Sequence, residues 1–449
     1  LTGLEVEEVL APKRAIAEKI ADCYDLTVER LLEGIEDGEH RDIAASDTLH
    51  EIEVMASEPT VVNLVNAVIS GALKERASDI HLVPFERGTE LRYRIDGVLH
   101  EIPPPPRHLH AAFISRIKIM AEMNIAERFI PQDGNFQIQH GGRRVDVRVG
   151  TMPTIHGESV VLRLLEKGSR IQTLVELGLD EERSASLDRL LDKPYGIFLS
   201  TGPTGSGKTT TLYSILSGIY TTERKILTLE DPVEYQLPGV TQIPVKPSRG
   251  FTFATGLRAI LRQDPDVIMV GEIRDSETAE IAIRAALTGH LVFSTLHTND
   301  AAGAVTRLVD MGVEPFLIAS SLEAALAQRL VRTICTTCRE PVAVDDTTRK
   351  KIETIEAADR SIELSGVQLF RGAGCAECRQ TGYRGRTGLY EILVLVPELR
   401  QMVLDKRPST EIKRAALESM QTLRQSGLAK VQQGATTIDE ILRVAMGDS

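Results

Sequence analysis

Gly202-Pro203-Thr204-Gly205-Ser206-Gly207-Lys208-Thr209-Thr210 lies between an apolar run, Gly196-Ile-Phe-Leu-Ser200, and a helical pattern from Thr211 to Tyr220. The nine residues satisfy G-x-x-x-x-G-K-[ST] in the strand-then-helix context where that pattern holds phosphate. Glycine is required because the backbone N–H groups turn inward around phosphate oxygens, at distances a Cβ would obstruct. Lys208 supplies a mobile positive charge for β- and γ-phosphates, and the Thr209 hydroxyl can ligate Mg²⁺. Such a loop belongs to an α/β fold, at the carboxyl edge of a parallel sheet.

Phosphoryl transfer to water also needs carboxylates that hold the metal and orient the attacking water. Two short apolar runs deliver acids in the required way. Ile226-Leu-Thr-Leu229 leads to Glu230-Asp231-Pro232-Val233-Glu234, and Val267-Ile-Met-Val270 leads to Gly271-Glu272-Ile273-Arg274-Asp275. Gly271 stands where many NTPases carry the Asp that supports Mg²⁺, so Glu272 must act alone or with the first cluster. Helix N-caps or solvated turns are the competing explanation for each of these acids. A third run, Leu291 to Leu296, is bracketed by His290 and His297. A histidine at a strand end can sense a γ-phosphate or orient a carboxylate, although an isolated one is more often a satisfied packing residue.

Arg258 and Arg262, four apart on one helical face, could complete a neighbouring subunit's site. Arg92 with Arg94, and Arg144 and Arg148 with Asp146, share strand faces, where ion pairing or solvation explains them equally well.

The 449 residues carry 64 acidic against 52 basic side chains, a net charge of −12, with 4% aromatics and no Trp. That balance lacks both the positive field and the stacking surface of a nucleic-acid binder, so no nucleic-acid partner is expected. No apolar run approaches the ~18 residues of a spanning helix. Even Phe316 to Leu330 is interrupted by Glu323, Gln328 and Arg329, and membrane contact is expected only through partners. The five cysteines are Cys23 and two CxxC pairs, Cys335/Cys338 and Cys375/Cys378, which suggest a metal in a reducing compartment. Vicinal redox pairs are the alternative.

Composition shifts divide the chain into a helical piece with an acidic linker (1–58, with a helical pattern from Pro12 to Leu32), an α+β domain (59–167), a linker (168–178), a nucleotide-binding core (179–330), a cysteine module (331–390) and C-terminal helices (391–449). In the second region, helical spacing starts at Pro59 and continues to Leu73. A strand is expected over Ser78–Phe85, a hairpin turning at Asp96-Gly97, a helix from about Leu109 to Met123, and a second hairpin around Gly141-Gly142.

Together the motifs resemble the Walker A, Asp box, Walker B and His box of the secretion ATPases, the motors of type II secretion and type IV pilus assembly. The quoted segments are Gly202–Thr210, Leu229–Tyr235, Leu261–Asp275 and Thr288–Asp300. Ala77-Ser-Asp-Ile-His81, Arg94-Ile-Asp-Gly97 and Ile130-Pro-Gln-Asp-Gly134 resemble that family's preceding domain, so the likeness covers about residues 59–449. Phe129 departs from the family's usual arginine there. The resemblance implies a RecA-like P-loop core behind a PAS-like α+β domain, and a homo-hexamer in which domains close over Mg-ATP. Such a ring, cytoplasmic and peripheral at the inner membrane, would act on an inner-membrane platform protein. It further implies that Lys208 and Thr209 bind Mg-ATP, that Glu230, Glu234 and Glu272 are the catalytic acids, that His290 and His297 form the His box, and that Arg258 and Arg262 lie near the γ-phosphate. The four paired cysteines match the Zn²⁺ module of assembly motors, in which Arg384 and Arg386 are candidate contacts to the nucleotide. The wording of Phe253–Arg262 and Thr298–Arg307 is closer to the type II secretion branch than to pilus extension. A nucleic-acid-translocating ATPase and a non-hydrolysing nucleotide switch are the remaining alternatives; acids at all three positions count against the switch.

Overall fold

The computed structural model describes residues 49–166, 170–358 and 367–445, in two compact units that divide between residues 168 and 169. The helical pattern expected over Pro12–Leu32 lies outside the described residues.

In the first unit, α1 (Leu49–Ala56), α2 (Pro59–Lys74) and α3 (His110–Met120) accompany a six-stranded antiparallel sheet. Its strands are β1 (Asp79–Phe85), β2 (Gly88–Ile95), β3 (Val98–Ile102), β4 (Gln132–His140), β5 (Arg143–Thr154) and β6 (Gly157–Glu166), ordered β3-β2-β1-β6-β5-β4. The two expected hairpins form at Asp96-Gly97 and Gly141-Gly142, where all four residues have positive φ, as a tight two-residue turn demands. Strand β6 lies outside the sequence expectations. It pairs with both β1 and β5 and closes the sheet's centre. Val61, Leu64, Val65 and Val68 of α2 pack with Phe113 and Ile117 of α3 on the inward side chains of the strands.

The second unit is built on seven strands: β7 (Gly196–Thr201), β8 (Ile226–Glu230), β9 (Thr241–Pro244), β10 (Val267–Val270), β11 (Leu291–Leu296), β12 (Leu322–Ile334) and β15 (Tyr383–Val394), the last following the small ribbon β13 (Arg339–Val342) and β14 (Leu369–Gly372). The order is β15-β12-β7-β11-β10-β8-β9, parallel throughout except for β15. Helices lie on both faces: α4 (Glu181–Leu191), α5 (Lys208–Ile219), α6 (Phe253–Ile260), α7 (Ser276–Leu287), α8 (Ala301–Asp310) and α9 (Pro315–Ser321). With both faces covered, each central strand is buried at every step, its few polar residues included. Ile268 and Val270 pack toward α6 and α7, while Val267 and Met269 pack toward α4 and α5. Helix α10 (Asp346–Ala358) follows β13. The described residues end in α11 (Pro397–Leu404), α12 (Ser409–Ala416), α13 (Leu423–Gln432) and α14 (Ile438–Ala445), in line with the expected C-terminal helices.

The apolar stretch from Phe316 breaks into two elements, α9 and then β12. The boundaries expected at 330/331 and 390/391 fall inside β12 and β15, which are paired along most of their length. The cysteine module is therefore an excursion from two strands of the main sheet.

Candidate active site and metal centre

Strands β7, β11, β10 and β8 are parallel neighbours, so their carboxyl ends and the loops that leave them gather at one sheet edge. The loop 202–207 follows β7, His297 follows β11, Glu272 follows β10 and Glu230 ends β8. The phosphate loop is shaped by its glycines. A Cβ on Gly202 (φ 147°) would lie 2.6 Å from the Gln328 carbonyl oxygen, and one on Gly207 (φ 90°) 2.8 Å from Gln328 Nε2. Helix α5 begins at Lys208, three residues before the expected start, and Thr211 donates to Gln328 Oε1 at 2.8 Å. Lys208 Nζ donates to the carbonyls of Gly202 (2.8 Å) and Pro203 (3.0 Å). Burial, with a smaller contribution from Arg329, lowers its pKa to about 8 against the opposing pull of Glu272.

The buried Ser206 Oγ has no hydrogen-bond partner. An orphaned hydroxyl, a desolvated ammonium and a helix N-terminus around one glycine loop form an anion cradle, so these residues fit a nucleotide's phosphates. Pro203, Thr204 and Gly205 are exposed at its rim, and Thr209 and Thr210 are half-buried on the first turn of α5.

Glu272 is held by Arg274 at 2.5 Å and faces His297 Nε2 at 3.4 Å. Burial works against its ionised form, but the Arg274 hydrogen bond and charge, with His297, outweigh that and hold the carboxyl below its usual range. Gly271 explains the missing Asp. A Cβ there would already lie 3.1 Å from the Leu229 carbonyl of the next strand. Asp275 caps α7 through the Thr278 N–H at 2.7 Å, so for this acid the capping explanation holds.

Glu230, the first of the expected acids, ends β8 in a buried position. It is 2% exposed and accepts from Tyr213, Thr228 and, at 3.1 Å, Gln242. Burial, together with Glu230, pushes the Tyr213 phenol far above its ordinary value, so the hydroxyl stays a donor. Glu234 is half-buried, and its N–H faces the same Tyr213 hydroxyl at 3.4 Å. His290 lies at the opposite end of β11 from the phosphate loop, with Nδ1 2.9 Å from the Ala285 carbonyl in the last turn of α7. Arg258 pairs with Glu277 at 2.7 Å, and Arg262 donates to the Arg258 carbonyl at 2.9 Å, so neither contacts the loop within this chain. Arg384 is paired with Glu377 beside the cysteines.

Two site residues carry no role in the sequence reading. Arg329, 8% exposed on β12, donates to the Asn299 carbonyl at 3.0 Å and supplies positive charge beside Lys208. Tyr213 holds Glu230. The signal for Arg329 is present as a charge inside an apolar run; Tyr213 has none, because a tyrosine on a helix reads as core.

Cys335 and Cys338 follow β12, and Cys375 and Cys378 precede β15. Their sulfurs all lie within 4.8 Å of one another, with Sγ···Sγ separations of 3.9 Å (335/375), 3.8 Å (338/378) and 3.7 Å (375/378). Four thiolates about 2.3 Å from one ion form a tetrahedron with edges of about 3.8 Å. The donor set therefore fits a closed four-sulfur metal shell. Backbone N–H groups of Cys375 (3.2 Å) and Gly382 (3.3 Å) point at Cys378 Sγ. Burial raises that thiol, but these donors bring it down to about 7. Ile334 lies seven residues beyond the β12 residue paired with Thr201, about 20 Å along the strand, so the cluster is remote from the phosphate loop.

The parallel sheet, the glycine loop with its buried lysine and the acid at the next strand end define a P-loop NTPase. A family model described as "Type II/IV secretion system protein" matches residues 55–443, and the chain belongs to that family. It is 48% identical to the type II secretion system protein E of Pseudomonas aeruginosa, over 96% of this chain and 85% of that one. To the type IV pilus assembly ATPase PilB of Myxococcus xanthus it is 44% identical, over 98% and 78%. Among solved structures, the pilus retraction motor PilT with bound ADP superposes with a TM-score of 0.57 at 26% identity, covering 84% of this chain and 95% of PilT. The chain is an ATPase of this family.

Proposed function

We propose that the chain is a Mg-ATP-hydrolysing motor that works as a homo-hexamer and powers pseudopilus assembly and protein export in a type II secretion system. The observation that carries this reading is the meeting of Lys208, Glu272 and His297 at one sheet edge, in a chain that is 48% identical to a type II secretion system protein E over nearly its whole length. Lys208 neutralises β- and γ-phosphate oxygens, and Thr209 stands where a P-loop hydroxyl ligates the metal. Mg²⁺, when bound, offsets the charge that develops on the phosphates. Glu272, kept ionised by Arg274, accepts from and orients the attacking water, and His297 steadies it. Glu234 is a second acid for that water, whereas Glu230, saturated by donors, ties α5 to the acidic loop. Arg258 and Arg262 are assigned to a neighbouring subunit's site.

The four cysteines hold structural Zn²⁺, since a closed sulfur shell leaves no position for water. The partner is the cytoplasmic part of an inner-membrane platform protein. Among the described residues no helix is long and apolar enough to cross a membrane. A peripheral, cytoplasmic placement through that partner is part of the same proposal. Pilus extension is the second reading, favoured by the 44% identity to PilB.

Hydrolysis measured against protein concentration, beside mass in solution with a non-hydrolysable analogue, tests the reading. Turnover per chain that rises as hexamers form supports it. Proportional turnover from a stable monomer removes the ring, and binding without turnover removes the motor.

A further inference from the structure

Beyond the acids at the sheet edge, a charge network built around the buried Glu391 reaches the same site from the C-terminal helices. Glu391 of β15 is fully buried and accepts the backbone N–H groups of Ala301 (2.9 Å) and Leu423 (3.4 Å). Lys413 of α12 reaches Asp300 Oδ2 at 3.0 Å and Glu391 at 3.5 Å. Asp300 uses Oδ1 to cap α8 through the Gly303 N–H at 2.8 Å. Burial raises the Glu391 carboxyl and Lys413 pulls it back. A buried carboxylate deprived of its counter-charge is costly, so the network holds its geometry tightly.

Asp300 ends the segment His297-Thr298-Asn299-Asp300. The start of that segment is tied to the nucleotide core: the Thr298 N–H donates to Thr201 Oγ1 at 2.9 Å, and Arg329 donates to the Asn299 carbonyl. Its end is tied to Lys413 and Glu391. Four residues pinned at both ends leave His297 little freedom, and His297 sits against Glu272 although its side chain is 51% exposed.

We infer that Lys413 is a positioning residue for hydrolysis: through Asp300 and Glu391 it fixes the segment that holds His297 against Glu272. This rests on the roles proposed above for those two residues.

The test is steady-state Mg-ATP hydrolysis by the full chain carrying Lys413→Met, Lys413→Arg, His297→Ala, or Lys413→Met with His297→Ala, with melting midpoints measured in parallel. Lys413→Met is expected to lower kcat about tenfold and leave KM within about twofold, because a misplaced orienting group costs the transition state and not binding. Lys413→Arg recovers most of the rate. The double variant is no slower than His297→Ala alone, as two changes acting through one group must be. Asp300→Asn keeps the helix cap while presenting an amide to Lys413; it is expected to show the same kcat loss, and it serves if Lys413→Met does not fold. Should His297→Ala keep full turnover, the site reading itself fails. Should it slow hydrolysis while Lys413→Met only lowers the melting midpoint, or while the two effects multiply, the positioning role is overturned and the site reading stands.

Discussion

Burial of Lys208 gives nucleotide binding a measurable proton linkage. The amine titrates near 8 in the free chain, and phosphate oxygens at Gly202–Gly207 favour its charged form. Bound nucleotide therefore raises its pKa. Affinity for Mg-ATP is fully present below pH 8 and falls as pH rises above it, and binding at pH 8–9 takes up a proton. Calorimetry in buffers of different ionisation enthalpy reads that uptake directly; none at pH 8.5 would count against the assignment. The two acids at neighbouring strand ends separate in the same way. Glu272→Gln is expected to retain nucleotide binding and lose hydrolysis by about 10²-fold or more, as loss of a water-orienting group does. Glu230→Gln instead disturbs a buried network of three donors and is expected to lower stability by roughly 1–3 kcal/mol. Binding assays, single-turnover rates and denaturant melts on both variants distinguish the two outcomes.

Elements at the far end of β12 and β15 are held by different chemistry from the apolar layers of the sheet. Cys335, Cys338, Cys375 and Cys378 join the ends of two long paired strands, and chelation is expected to release one zinc per chain and lower the melting midpoint, leaving nucleotide binding in place. Metal analysis and thermal melting with and without chelator check this; an unchanged melt with no zinc released would sink the metal assignment. Helix α14 is clamped to β12 by Glu440, 1% exposed, which accepts from Arg332 (2.8 Å) and Arg443 (2.5 Å). Burial raises its carboxyl, but the two guanidinium groups outweigh that and hold it at about 2, against 4.5 unperturbed. A depressed carboxyl contributes stability above its unfolded pKa. The contribution of Glu440 is thus complete above pH 4.5 and is lost as pH falls toward 2. Wild-type chain and Glu440→Gln should differ in denaturant midpoint at pH 6, with the difference shrinking from about pH 4.5 and gone near pH 2.

The molecule as a whole separates two tasks. The phosphate loop, Glu272, His297, Arg329, the network at Lys413 and the cysteine cluster all belong to the second unit, and the first has its own sheet and core. Residues 170–449 alone are accordingly expected to fold and bind Mg-ATP, measured by calorimetry on the isolated fragment. If Arg258 and Arg262 act across a subunit boundary, hydrolysis by that fragment tracks its oligomerisation, and velocity sedimentation beside turnover checks the point.

Local chemistry is legible in order of residues. The glycine loop, the apolar runs ending in Glu230 and Glu272, both two-residue hairpins and the paired cysteines each depend on neighbours a few positions apart, and composition or spacing carries them. Gly271 could be noticed in the sequence, but its reason, the Leu229 carbonyl on the adjoining strand, could not. The fate of the other groups depended on long-range pairing. Parallel pairing of β11 with β7 decides that the His297 end, and not the His290 end, adjoins the phosphate loop. Tyr213 lies 17 residues from Glu230, and Lys413 lies 113 from Asp300, yet each pair shares one hydrogen bond. Burial lowers Lys208, while Arg274 and His297 keep Glu272 ionised against its own burial. Sequence order specifies which groups a strand end can deliver; only the packed sheet decides which of them meet at one edge.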